Sequence, residues 1–259
     1  VTVLDRGIDA VPRRIVERLE PGRVGCDQRQ QHTAAQACLG ESLNVLFRLF
    51  QIVGQKHPDA SAPVAFLVEQ GSGYIVRPHF HAVNQFQVFI AGSGRFGRQG
   101  FVSPAVHYAA AHTPYGPIVA GPDGFAYLTL RDGFDPGPRY MPESRQFLRS
   151  QRGGAPRLPA TIAPVRRGDS CCAVFDLQPN GPGAWSLMVS GHARLDVPDS
   201  NVGSGQFWVV LDGSLEIDNK TFPVRSCFHR AGGLPPPIAR AGAAGLWLLV
   251  LQYPRKTVP

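Results

Sequence analysis

The chain has 259 residues, of which 17% are charged, and its Gly 29 and Pro 24 mark many turns. That length holds one large domain or two small ones, and the composition favours short strands over helices. No run approaches the roughly 20 apolar residues of a membrane span, and the net charge of +7 is concentrated in residues 139–167, where Arg139, Arg145, Arg149, Arg152, Arg157, Arg166 and Arg167 face Glu143 alone, without the aromatic interleaving of a nucleic-acid groove.

Residues 1–56 show neither sustained 3.6-residue nor period-2 patterning. They read as an N-terminal arm, either packed on the first domain or outside the native fold. The opening residues lack the apolar core of a signal peptide. Five cysteines, with Cys171 and Cys172 adjacent and no CxxC, fit a reducing compartment. A cytoplasmic location is the expectation.

From residue 57 to 131 short apolar runs recur between Gly and Pro: APVAFLVEQ, GYIVRPHFHA, QFQVFIAG, AVHYAAAH and FAYLTLR. This is the rhythm of an antiparallel sandwich or barrel. His79 and His81 stand two apart in strand-type sequence. Residues i and i+2 of a strand share a face, about 7 Å apart, so both imidazoles point the same way. Gln85 and Gln87 follow with the same parity, and Gly92 and Gly94 end the run. His107 and His112 are five apart, so an unbroken strand turns them to opposite faces. His112 abuts the Pro114-Tyr115-Gly116 turn and is the stronger candidate of the two for the site.

Residues 132–160 form a Pro/Gly/Arg-rich connection, read as a solvated linker. A second β series fills residues 161–259. QFQVFIAGSGRFG (85–97) parallels QFWVVLDGSLEID (206–218), the mark of an internal duplication. Upstream of Gln206 the chain reads VPDSNVGSG, with no His-x-His.

These residues resemble the cupin superfamily. Its first motif, G-x5-H-x-H-x3,4-E-x6-G, falls on Gly73, His79, His81, Gln85 and Gly92, with Gln in place of Glu. Pro114-Tyr115-Gly116 fits the P-x-G core of the second motif, and the third-ligand His would fall at Val119. The resemblance spans roughly residues 63–253. It implies an all-β chain of two cupin-type jelly-roll barrels in tandem, 57–131 with the metal site and 161–259 degenerate, assembled as a homodimer.

It further implies a divalent metal ion, Fe(II) first with Zn, Ni, Mn or Cu as alternatives. The ligands would be His79, His81 and Gln85, joined by His112, with His112 and Tyr115 acting on a small-molecule substrate. Two function classes follow: a non-haem metal-dependent oxygenase of a small organic substrate, or a non-catalytic ligand-binding or structural cupin with a decayed metal site. On the first, Gln85→Glu should tighten metal binding. No nucleic-acid or membrane partner is expected.

Overall fold

Alternation along Gln85–Phe96 shows why this chain makes sheets. Phe86 and Val88 join one apolar cluster, and Phe89 joins another with Phe101, Phe125 and Tyr127. Odd and even positions of one strand thus serve two different interiors, as the pleat requires. A computed structural model describes residues 2–4, 45–49, 63–148, 162–168, 170–199, 203–233 and 237–255.

The described residues are all β apart from one 3-10 turn, Arg145–Phe147. The first ten strands are β1 (Thr2–Leu4), β2 (Val45–Leu49), β3 (Val64–Gln70), β4 (Ile75–Val76), β5 (His79–Phe80), β6 (Gln85–Phe96), β7 (Gln99–Val102), β8 (Ala105–Ala109), β9 (Ile118–Arg131) and β10 (Arg139–Tyr140). The rest are β11 (Ile162–Pro164), β12 (Cys171–Phe175), β13 (Gly183–Val189), β14 (Gly205–Ile217), β15 (Lys220–Pro223), β16 (Cys227–Ala231) and β17 (Ala239–Gln252). No helix among the described residues is long and apolar enough to cross a membrane.

Two large sheets carry the same order. One runs β11-β8-β6-β9-β3-β2, with β4 on β9 and β7 on β6; the other runs β1-β16-β14-β17-β13-β12, with β15 on β14. Neither sheet closes on itself among the described residues.

The correspondence extends to single residues at a constant offset. Gln85 pairs with Arg131 in β6/β9 as Gln206 pairs with Gln252 in β14/β17. Gln87 pairs with His107 as Trp208 pairs with Phe228. Gly92 and Gly213 take matching φ of 80° and 71°, each just after a register shift. The duplicated rhythm of the sequence is therefore a duplicated register.

Three apolar clusters organise the packing. Phe89, Phe101, Phe125 and Tyr115 fill the inside of the first half, and Trp208, Leu215, Phe222 and Phe228 that of the second. Between them Phe86, Tyr108, Leu128 and Leu130 share one cluster with Phe207, Leu249, Leu251 and Tyr253. The Tyr253 hydroxyl donates to the Leu130 carbonyl at 2.6 Å, tying the halves together.

Strands also occur outside the two expected barrel segments. Within residues 1–56, β1 pairs antiparallel with β16 and β2 with β3. Edge pairing uses backbone N–H and C=O groups, which need no side-chain pattern. The strands are also exchanged: β1, which leads the first half, lies on the second sheet, while β11, which leads the second, pairs with β8 of the first. The supposed linker is likewise partly structural. Arg139 and Tyr140 pair with Phe80 and His79, and the Met141 N–H donates to the Pro78 carbonyl at 2.8 Å.

Candidate functional site

His79 and His81 are 4% and 6% exposed and their ring centroids lie 5.2 Å apart, so the shared face predicted from their spacing is an inward one. Phe80, between them, turns the other way. Extended backbone fixes this: His79 exchanges backbone hydrogen bonds with Tyr115, at 3.1 and 3.0 Å. Its Nδ1 lies 2.8 Å from the Arg77 carbonyl. A carbonyl only accepts, so Nδ1 carries the proton and Nε2 keeps its lone pair. Burial, and then the neighbouring His81, lower its pKa to about 3.

Tyr115 lies at the centre. Its ring is 4.5 Å from His79, 4.8 Å from His107 and 6.4 Å from His81, centroid to centroid. Its hydroxyl accepts a hydrogen bond from Gln85 Nε2. Burial first, and then Tyr127, push its pKa far above the ordinary value. It therefore stays a neutral phenol, suited to hydrogen bonding and unsuited to act as a base near pH 7.

Two residues that the sequence pattern did not single out complete the cluster. Arg131, the last residue of β9, sits opposite Gln85 in register and is 9% exposed. Its Nε donates to Gln85 Oε1 at 3.2 Å, and its Nη2 lies 3.2 Å from Nδ1 and 3.4 Å from Nε2 of His81. Asp135, from the loop after β9, accepts from His81 Nδ1 at 3.1 Å and from the N–H groups of Ala82 and Gly137 at 3.0 and 2.7 Å. Burial alone would raise the Asp135 carboxyl. The His81 hydrogen bond, the Arg131 charge and the Gly137 N–H more than offset it and hold it below its usual range. His81 is lowered by burial and then by Arg131, against the pull of Asp135. The row Arg131–His81–Asp135 is thus a cation and an anion flanking a neutral imidazole.

His112 does not join this group. Its φ of 59° turns the chain at the end of β8, and its ring packs 5.9 Å from Phe80, on the far face of the His-x-His segment. There it lines a hollow with Ala82, Arg139 and Gln146. His107 stands inside instead, fully buried, with Nδ1 3.1 Å from Gln87 Oε1 and Nε2 without a partner among the described residues. β8 ends at Ala109, so the two histidines do not share one unbroken strand; His107 is the one brought to Tyr115. Val119 lies on β9 opposite Arg95, beside a separate surface hollow.

No protein-family model matches the chain, and no curated protein matches it in sequence. Solved structures do match in shape. A cupin 2 conserved barrel domain protein from Leptotrichia buccalis is 13% identical, with 83% of this chain and 91% of that chain covered and a TM-score of 0.45. Salicylate 1,2-dioxygenase from Pseudaminobacter salicylatoxidans is 10% identical, with 80% and 75% covered and a TM-score of 0.54. The coconut allergen cocosin is 10% identical, with 83% of each chain covered and a TM-score of 0.54. The fold is cupin-like.

Set against the cupin motifs, the donor set here does not fit a divalent ion. No group of three or more His, Cys, Asp or Glu side chains among the described residues is arranged to hold one. Gln85, in the place of the motif Glu, uses both ends of its amide, towards Arg131 and Tyr115. The Arg131 guanidinium lies against the His81 ring, close to both of its nitrogens. A permanent cation among the motif side chains repels a second cation. Arg131 was open to detection in the sequence: it shares parity with Phe125, Tyr127 and Thr129 at the end of an apolar run. Asp135 was not, since only the return of its loop brings it to His81.

Proposed function

We propose that the chain is a bicupin, residues 57–131 and 161–259 forming tandem barrels, whose first half keeps the cupin frame without its metal. It serves as a non-catalytic small-molecule-binding or structural protein, working as a homodimer in the cytoplasm. The observation that carries this reading is the Arg131 guanidinium against His81 and Gln85, with Asp135 balancing its charge. Likeness to both an enzyme and the coconut allergen cocosin supports the fold alone and leaves either class open to it.

Elemental analysis of protein purified without an affinity tag, before and after incubation with Fe(II), Zn, Ni, Mn and Cu in turn, tests it. The expected result is far less than one metal per chain in every case. One equivalent, lost in His79→Ala, would favour the second reading, a metal-dependent oxygenase of a small organic substrate. That reading has one specific observation behind it: His79 presents an Nε2 lone pair with its tautomer already set by the Arg77 carbonyl.

A further inference from the structure

Going beyond the metal-free reading and resting on it, we infer that Arg131 is an internal cation seated where a divalent ion would bind, and that a latent metal site lies beneath it. The guanidinium is in contact with two side chains that a metal would need. Nε takes Gln85 Oε1 at 3.2 Å, and Nη2 sits against the His81 ring, 3.2 and 3.4 Å from its two nitrogens. A fixed cation in contact with both side chains repels a divalent ion at the same place, so the two occupants exclude each other.

The backbone aims the side chain there. Arg131 and Gln85 are register partners at the ends of β9 and β6, and the pleat turns both inward. The Phe66 ring lies 5.2 Å from the guanidinium carbon on the same group. The charges also close. Arg131 is matched by one carboxylate, Asp135, held by His81 and by two backbone N–H groups. A Glu at position 85 would add a second carboxylate, and the chain carries Gln. The fold itself does not ask for an arginine here. At the equivalent register in the second half the partner is Gln252, whose Oε1 accepts from Gln206 Nε2 at 2.9 Å.

Removing the charge should uncover the site. In Arg131→Met/Gln85→Glu, the methionine keeps apolar volume, the glutamate supplies an anionic donor, and Asp135 is left to orient His81 as a carboxylate orients a ligating imidazole. Full-length protein would be titrated with Co(II), whose visible absorption reports its coordination. The double variant should bind one equivalent, at least about a hundredfold tighter than wild type, because a like charge in direct contact has been removed. Adding His79→Ala should abolish that binding. Arg131→Lys/Gln85→Glu, which keeps the cation, should stay as weak as wild type.

Gln85→Glu alone is the conservative check if the Arg131 variants do not fold. It should gain no metal, because the new carboxylate pairs with Arg131. Cobalt binding by Gln85→Glu alone, or a folded double variant that binds none, would overturn the inference while leaving the metal-free reading intact. One equivalent of cobalt in wild type, lost with His79→Ala, would overturn both.

Discussion

Histidines two apart in a strand read in sequence as a metal pair, and their inward face is what the structure has. What surrounds them changes their meaning. His79 and His107 are both buried with pKa lowered to about 3, by burial first, so both are neutral in the folded chain. For His107 the sign is plain. The unfolded chain takes up the proton near the ordinary 6.5, while the folded one resists until about 3. Its contribution is therefore undiminished above pH 6.5 and lost progressively as pH falls from there towards 3. The slope is about 1.4 kcal/mol per pH unit for each such histidine. Urea unfolding between pH 7 and 4.5 should show stability falling with pH. His107→Asn, which keeps a donor for Gln87 and does not titrate, should flatten that fall by one proton's worth. An unchanged slope would mean that His107 takes up its proton in the folded state.

At the scale of elements, paired glycines set the long strands. A Cβ at Gly92 would lie 2.1 Å from the Gly124 carbonyl oxygen, and one at Gly213 would lie 2.1 Å from that of Gly245. Both glycines also hold positive φ. Gly92→Ala should therefore cost more than about 2 kcal/mol, through backbone strain and a clash that no side chain can relieve. Thermal unfolding measures it, and a loss no larger than that of an exposed substitution would show that β6 and β9 shift apart freely. Gly92 was legible in the first motif. The pairing of Gly92 with Gly124 was not, because a register is a relation between strands that lie far apart in sequence. The same holds for His107 and His112. Parity would separate them in one unbroken strand, but β8 ends at Ala109, and their placement follows from where β8 meets β6 and where the chain turns with φ 59° at His112.

At the scale of the molecule, exchanged leading strands and a shared core join the halves. Deleting residues 1–50 removes the chain that pairs with β16 and β3. The truncated protein should melt at least about 5 °C below the full chain, since one kcal/mol moves a chain of this size by a few degrees. An unchanged melting temperature would return those residues to the status of a loose arm. β12 is an edge strand on which Cys171, Cys172 and Ala173 are exposed. Open edges invite pairing with a second copy. Light scattering at micromolar concentration should give the mass of a dimer, and a monomer would remove that proposal.

Sequence alone determined what depends on local spacing: strands from alternation, two matched halves from QFQVFIAG and QFWVVLDG, and a shared face for His79 and His81. It also exposed the departures at Gln85 and Val119. Tertiary structure decided what those side chains meet. Arg131 reaches Gln85 only through the β6/β9 register, and Asp135 reaches His81 only because its loop folds back over β5. A local pattern tells which way a residue points. The charge waiting there comes from another strand, and the chemistry of a buried site is decided by that charge.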